Sequence, residues 1–146
     1  MAGATRSIVI NASMEKLFAV ITDYEKYPEF LTEVKKIRLG PRKGNEVEVH
    51  YEAEIVKTIK YALKLKEEKP NKVSWSFIEG EFMKDNKGGW VLEDLGGGKI
   101  KATYNIEVTV GMLVPKTIIT ALVDTQLPKT LEAFKKRAER PDPPRP

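Results

Sequence analysis

Asn11-Ala12-Ser13-Met14-Glu15-Lys16-Leu17-Phe18, continued by Asp23-Tyr24-Glu25-Lys26-Tyr27-Pro28-Glu29-Phe30-Leu31, sets the frame for the rest of the chain. Asn11 or Ser13 supplies a side-chain oxygen to cap a helix, and Glu15 falls in the first turn, where the helix dipole favours a carboxylate. Met14, Leu17, Phe18 and Ile21 recur at the i, i+3, i+4, i+7 spacing of a helix lying on a core. Pro28 lacks an N–H and disfavours helix at Tyr27, so a break is expected, with a short second helix around Glu29 to Thr32.

On either side of this corner the pattern changes to period two. Thr5 to Ile10 reads as a first strand, with Ile8 and Ile10 on one face. Val34 to Leu39 is a second, turned by Pro41-Arg42-Lys43-Gly44-Asn45. From Glu46 to Val56 the alternation is clean. Val47, Val49, Tyr51, Ala53 and Ile55 share one face, and Glu46, Glu48, His50, Glu52 and Glu54 share the other. Tyr61, Leu63 and Leu65 continue it, then Val73, Trp75 and Phe77. Met83 to Glu93 is interrupted by Gly88-Gly89, the mark of a bulge or a close backbone approach. After Gly96-Gly97-Gly98 come Ala102, Tyr104, Ile106, Val108 and Val110. Short turns imply sequential antiparallel pairing, and a single apolar face implies a sheet covered on one side.

What covers it is the C-terminal segment from Pro115 to about Ala138. Leu127, Leu131, Phe134 and Ala138 make a one-sided stripe, whereas Val114, Ile118, Ile119, Ala121, Leu122 and Val123 are apolar nearly all round. Pro128 removes the bond to the Asp124 carbonyl, so a kink is expected there. The expected architecture is α+β: a strongly curved antiparallel sheet of about seven strands around a long C-terminal helix, with two short helices after the first strand. Residues 1–140 read as one domain and 141–146, Pro-Asp-Pro-Pro-Arg-Pro, as a disordered tail.

Composition narrows the chemistry. The chain has no cysteine, which excludes disulfides, thiolate catalysis and sulfur-bound zinc, and its one histidine, His50, cannot build a multi-histidine metal site. His50 lies among outward-facing glutamates, so a catalytic role would need the whole strand to flip. A net charge of +4 permits contact with acidic surfaces without demanding it. Lys57, Lys60, Lys64, Lys66, Lys69 and Lys72 crowd one hairpin, but Glu52, Glu54, Glu67 and Glu68 are interleaved with them. No apolar run approaches the ~20 residues of a membrane span, and Met1 to Arg6 carries no secretory signal, so a cytoplasmic protein is expected.

The order strand, helix, helix, six strands, long helix resembles the helix-grip fold of the START-related superfamily, which includes polyketide cyclases/dehydrases and lipid-transport proteins. Ile10 to Phe18, Asp23 to Leu31, Gly89-Trp90 and Leu127-Pro128-Lys129-Thr130-Leu131 carry the likeness, over about residues 5 to 138. The chain is most similar to coenzyme Q-binding START proteins and their bacterial relatives. What the resemblance implies is a cavity between sheet and last helix that holds a hydrophobic ligand.

Read with the alternation, that cavity is expected to be walled by Val49, Tyr51, Ala53, Trp75, Phe77, Trp90, Tyr104, Ile106 and Val108 from the sheet. Leu113, Ile118, Leu122 and Thr125 are the expected contributions from the loop and helix, with Gly111 to Val123 acting as a gate. The expected function is binding, transport or chaperoning of a quinone, polyprenyl compound or other lipid by a monomer that touches membrane surfaces transiently. No catalytic residue, metal or cofactor is expected, and nucleic acid is not an expected partner. Two alternatives stay open: a polyketide cyclase or dehydratase acting through a polar cluster inside the cavity, and a ribosome- or RNA-associating regulator.

Overall fold

The structure, a computed structural model, describes residues 2–55, 57–111 and 114–141. The side chains of Ala2, Ile55, Ile118, Leu122 and Val123 also fall outside the described part. The chain opens with β1 (Ala2–Ile10) and α1 (Met14–Thr22), followed by a 3₁₀ segment (Tyr24–Glu29). Six strands then run in succession: β2 (Val34–Lys43), β3 (Glu46–Ile55), β4 (Lys57–Glu68), β5 (Lys72–Gly80), β6 (Met83–Gly96) and β7 (Lys99–Val110). The chain closes with α2 (Lys116–Thr120), a π-helical segment (Ala121–Gln126) and α3 (Leu127–Glu139).

The seven strands form one antiparallel sheet in the order β1-β7-β6-β5-β4-β3-β2. The first strand thus lies at one edge and the second at the other. The Ser13-to-Phe30 corner carries the chain across, and a simple meander brings it back. Such short connections need no crossover beyond that first one. This is the helix-grip architecture: a curved sheet, with α3 packed on its concave face.

Ser13 caps α1, its hydroxyl accepting from the Lys16 N–H at 3.1 Å, and Leu17, Phe18 and Ile21 are buried beneath it. The second helix forms earlier than expected, at Tyr24–Glu29 instead of 29–32, and it is 3₁₀. In a 3₁₀ turn, residues i and i+3 lie one above the other. Tyr24 and Tyr27 therefore both point inward, and both are buried. Each is tied down, the Tyr24 hydroxyl donating to Glu67 at 2.7 Å and the Tyr27 hydroxyl to the Ile21 carbonyl. The Tyr27 ring then meets Phe134 of α3 edge-on at 5.5 Å, which locks the corner to the last helix.

Leu127, Leu131, Phe134 and Ala138 are all buried, so the expected stripe faces the sheet. Pro128 sits at the start of α3, and the kink expected there takes the form of a π-helical turn over the six preceding residues. A π-turn is one established way to absorb a broken ladder bond. Asn11 N–H to Glu139 at 2.8 Å and Lys135 to the Val9 carbonyl at 2.9 Å fasten the far end of α3 to β1.

Gly88-Gly89 is a close approach: pairing to β7 runs through it without a shift, and a Cβ would lie 2.1 Å from the Asn105 carbonyl oxygen at Gly88 and 2.5 Å from that of Val73 at Gly89. The register shifts lie elsewhere: between Val34 and Lys36 and between Leu39 and Arg42 on β2, between Met83 and Asp85 and between Asp94 and Gly96 on β6, and where Ala62 and Leu63 meet β5. On the outer face the β3 glutamates pair across to β4 lysines: Glu46 with Lys66, Glu48 with Lys64, Glu52 with Lys60. Lys72 also lies 3.7 Å from Glu68. The lysine-rich hairpin is thus matched by acids along its length. Among the described residues no helix is long and apolar enough to cross a membrane. Met112, Leu113 and the tail 142–146 lie outside the described residues, and with them the centre of the expected gate.

Candidate functional site

Between the concave face of the sheet and the last helix is a cavity of about 150 Å³. Alternating residues of five strands, β3 to β7, project into it, as a period of two requires of a one-sided sheet. α3 closes it with Leu127, Thr130 and Phe134, and the corner beneath contributes Ile21, Tyr27 and Leu31. Val110 and Ile119, both half-buried, line it where β7 hands over to the last helical segment.

Much of the wall is aromatic. Tyr51 and Tyr61 stack across β3 and β4 with centroids 4.8 Å apart and planes 10° from parallel. Tyr104 lies against Trp75 at 5.3 Å and Trp90 at 4.9 Å, and Trp90 continues to Phe134 at 5.0 Å. Such offset and edge-on pairs hold rings rigidly and present a flat surface to whatever enters.

Polar groups interrupt the wall at a few points. Trp75 donates its indole N–H to the buried Asn86 side chain at 3.0 Å. Ladder pairing between β5 and β6 ends at Trp75 and Gly88, so this bond forms where the two strands part. Glu33, in the loop before β2, accepts from Gln126 at 2.8 Å and from Thr130 at 3.1 Å. Each carboxylate oxygen keeps a second acceptor site after those bonds.

The chain has five tyrosines, and they divide into two kinds. Tyr24 and Tyr27 spend their hydroxyls within the protein. The hydroxyls of Tyr51, Tyr61 and Tyr104 have no hydrogen-bond partner among the described residues, and all three residues line the cavity. Burial raises the pKa of all three; the Glu33 carboxylate adds to this at Tyr61, and Tyr61 and Glu33 add to it at Tyr104. They are therefore neutral O–H groups, donors held ready over an apolar space.

Of the residues expected on the wall, Tyr51, Ala53, Trp75, Trp90, Tyr104, Ile106 and Val108 come together there. Three expected members do not line it. Val49 is fully buried in solid core beside Val47 and does not reach the cavity, although Leu63 and Leu65, their partners on β4, line it. Phe77 packs against the core past the place where β5 leaves β6, so it has no share in the wall. Thr125 is exposed, and its neighbour Gln126, the last residue of the π-turn, takes the inward position. Leu113 and the side chains of Ile118 and Leu122 lie outside the description.

The expected wall omits three sets of residues. Tyr61, Leu63, Leu65, Val73, Val34 and Val110 were legible from the strand alternation, and β4 lies between two strands already counted. Ile21, Tyr27, Leu31, Ile119, Leu127 and Phe134 come from the corner after β1 and from the C-terminal helical segments, which close the cavity. Glu33, Asn86, Gln126 and Thr130 carry no apolar periodicity and left no such signal. His50 sits outside, on the opposite face, bonded to Glu48 at 2.6 Å. Among the described residues no group of acids and histidine has the makings of a metal site.

A family model described as polyketide cyclase / dehydrase and lipid transport matches residues 10–135. No curated protein matches the chain. Among solved structures, the Zhui aromatase/cyclase from Streptomyces sp. R1128 superposes with a TM-score of 0.86 at 12% identity, covering 94% of this chain and 93% of that one. A START superfamily protein from Mycobacterium smegmatis gives 0.84 at 17%, covering 95% and 98%. A STAR-related lipid transfer protein fragment from Xanthomonas axonopodis gives 0.79 at 14%, covering 94% and 86%. At such identities these likenesses establish the fold.

Proposed function

Because this chain belongs to the polyketide cyclase / dehydrase and lipid transport family, we propose that it binds a hydrophobic small molecule in the cavity between its sheet and C-terminal helix. The observation that carries the reading is the cavity itself, about 150 Å³ walled chiefly by aromatic and aliphatic side chains in a fold of this size. Tyr51, Ala53, Trp75, Trp90, Tyr104, Ile106 and Val108 are the proposed contacts from the sheet. Binding would draw on apolar burial at ~25 cal/mol per Å², with few polar groups to orient the guest. A quinone bearing a ring hydroxyl suits this wall: its ring lies between aromatic faces, its carbonyls meet phenol hydroxyls, its hydroxyl meets Glu33, and a prenyl tail leaves past Val110 and Ile119. We take the protein to act in the cytoplasm as a monomer, delivering or holding its ligand, with only passing contact with membrane surfaces.

Native mass spectrometry of the purified protein, followed by organic extraction, tests this directly. A retained lipid or quinone supports it. A protein that arrives empty, and then binds neither quinones nor fatty acids, refutes it.

One observation favours a second reading. Glu33 and the three phenols bring acid and base groups into a single apolar space, which is what a cyclase or dehydratase acting on a polyketide-like substrate would need. Turnover of a polyketide-like substrate that is lost in Glu33→Gln would favour catalysis over storage.

A further inference from the structure

Three donors that the protein does not use, open to the cavity beside a carboxylate with acceptor sites to spare, make a demand on any guest. Tyr51 is 9% exposed, and its hydroxyl, like those of Tyr61 and Tyr104, faces the cavity with no protein partner among the described residues. Glu33 is held in place from the helix side by Gln126 and Thr130, so it too is positioned in advance. Taking this cavity as the ligand site, we infer that its ligand carries a flat ring bearing both a carbonyl and a hydroxyl, the carbonyl bonded by the phenols and the hydroxyl by Glu33.

Three considerations lead there. The first is chemical complementarity. A neutral phenol at the end of a buried ring donates, and a carboxylate accepts, so a ligand with only one kind of group satisfies one side and strands the other. A plain acyl chain strands both. Each polar group that loses its water and finds no partner costs roughly tenfold to a hundredfold in affinity. The second is shape. The Tyr51–Tyr61 stack and the Trp75, Trp90 and Tyr104 group present ring faces and edges, which suit a planar body better than a flexible one. The third is capacity. At ~10–15 Å³ of such space for each water-sized unit, a cavity of about 150 Å³ receives a fused pair of rings of roughly ten heavy atoms. A long chain would have to lie mostly outside.

The test uses a ladder of probes on one frame: tetralin, 1-tetralone and 6-hydroxy-1-tetralone, with palmitate as the chain-like comparison. Binding to the full-length protein is read by titration calorimetry and by quenching of Trp75 and Trp90, the only two tryptophans. Affinity is expected to rise by about tenfold from tetralin to tetralone and again to the hydroxyketone, with palmitate weaker than the last. Glu33→Gln should erase most of the second step and leave the first. Tyr51→Phe and Tyr104→Phe, which add no bulk, should erode the first step and leave the second, and they stand in if the Glu33 variant does not fold. Tetralin or palmitate binding as tightly as the hydroxyketone overturns the inference while leaving a container for apolar molecules intact. Failure of all four probes to bind overturns that container reading as well.

Discussion

Replacing Gly88 by alanine is the sharpest way to ask whether the sheet really builds the cavity in the manner described. Gly88 faces Ile106 on β7 and Trp75 on β5. A Cβ added there would lie 2.1 Å from the Asn105 carbonyl oxygen and 2.9 Å from Cζ2 of Trp75. Ordinary contact needs about 1 Å more on the strand side, and a backbone atom in a continuous ladder cannot yield that alone. Overpacking of this kind costs about 1–3 kcal/mol. If Trp75 swings away to make room, the Asn86 side chain loses its indole donor, which adds about 1–3 kcal/mol for a buried group left unpaired. The expected loss is therefore about 2–6 kcal/mol, a large part of a domain stability of ~5–15 kcal/mol. Urea denaturation followed by tryptophan emission reads it, because one of the two fluorophores is the displaced residue. Gly111→Ala is the matched control: nothing lies within 4 Å of its Cβ and its φ is not positive. That change should be neutral or stabilising by about 0.4–1 kcal/mol. A Gly88 variant within about 0.5 kcal/mol of the parent, the range of an ordinary surface change, would refute the account of this crossing.

Three further outcomes follow from the same geometry. Phe134→Ala removes a ring that meets Tyr27, Phe30 and Trp90 and also walls the cavity, so it should cost about 3–5 kcal/mol. Calorimetry should show a melting temperature lower by roughly 6–20 °C, and a shift under about 2 °C would mean that this cluster does not bind the helix to the sheet. At high pH, all five tyrosines have pKa values raised by burial, Tyr24 also by Glu67 beside it. Folding favours the neutral phenol, so this contribution is fully present below pH ~10 and is lost as pH rises above it. Phenolate absorbance should accordingly appear in one step together with unfolding; gradual ionisation of the folded protein would contradict the burial. At low pH the signs reverse. The Arg137 guanidinium lowers the Glu29 pKa, and the Asn11 N–H and Lys135 lower that of Glu139. Their stabilisation holds above the ordinary carboxylate value of 4.5 and fades as pH falls through the folded values, so Arg137→Met should flatten the acid limb of a stability–pH curve.

How far the fold and the site could be read in advance depended on whether a residue's place follows from a period. The α3 stripe and the β3 alternation were legible because burial on one face leaves a repeat of 3.6 or 2 in the apolar residues. The first strand runs back to Ala2, where expectation began at Thr5, because Ala2-Gly3-Ala4 is held by pairing to Ile106–Val108 and shows no alternation of its own. The second helix was displaced by about five residues. The missing N–H of Pro28 argues for a break ahead of the helix, yet the residue fits inside a 3₁₀ turn whose position is set by the inward tyrosines at 24 and 27. Val49 and Phe77 obey the alternation and still miss the cavity, since a period says which face a residue takes and not whether open space or packed core meets it there.

The same reasoning explains why the polar part of the site escaped notice. Every regular element here spends its inward positions on packing, so a polar side chain can reach the cavity cheaply only where the backbone departs from regularity or at a helix margin. Glu33 stands in the loop between the 3₁₀ turn and β2, Gln126 ends the π-turn, and Asn86 occupies the place where β5 and β6 part. Thr130 is the exception, and it lies on a half-buried flank of α3 within reach of the same carboxylate. The phenols are the complementary case. Their rings satisfy the apolar period and were read from it, and their hydroxyls then arrive in the cavity as passengers of that pattern. Regular structure therefore supplied the wall and its donors, while the acceptor that opposes them came from irregular structure. A search for function in chains of this architecture should start at the loops and π-turns that face inward, since that is where composition is free of the demands of packing.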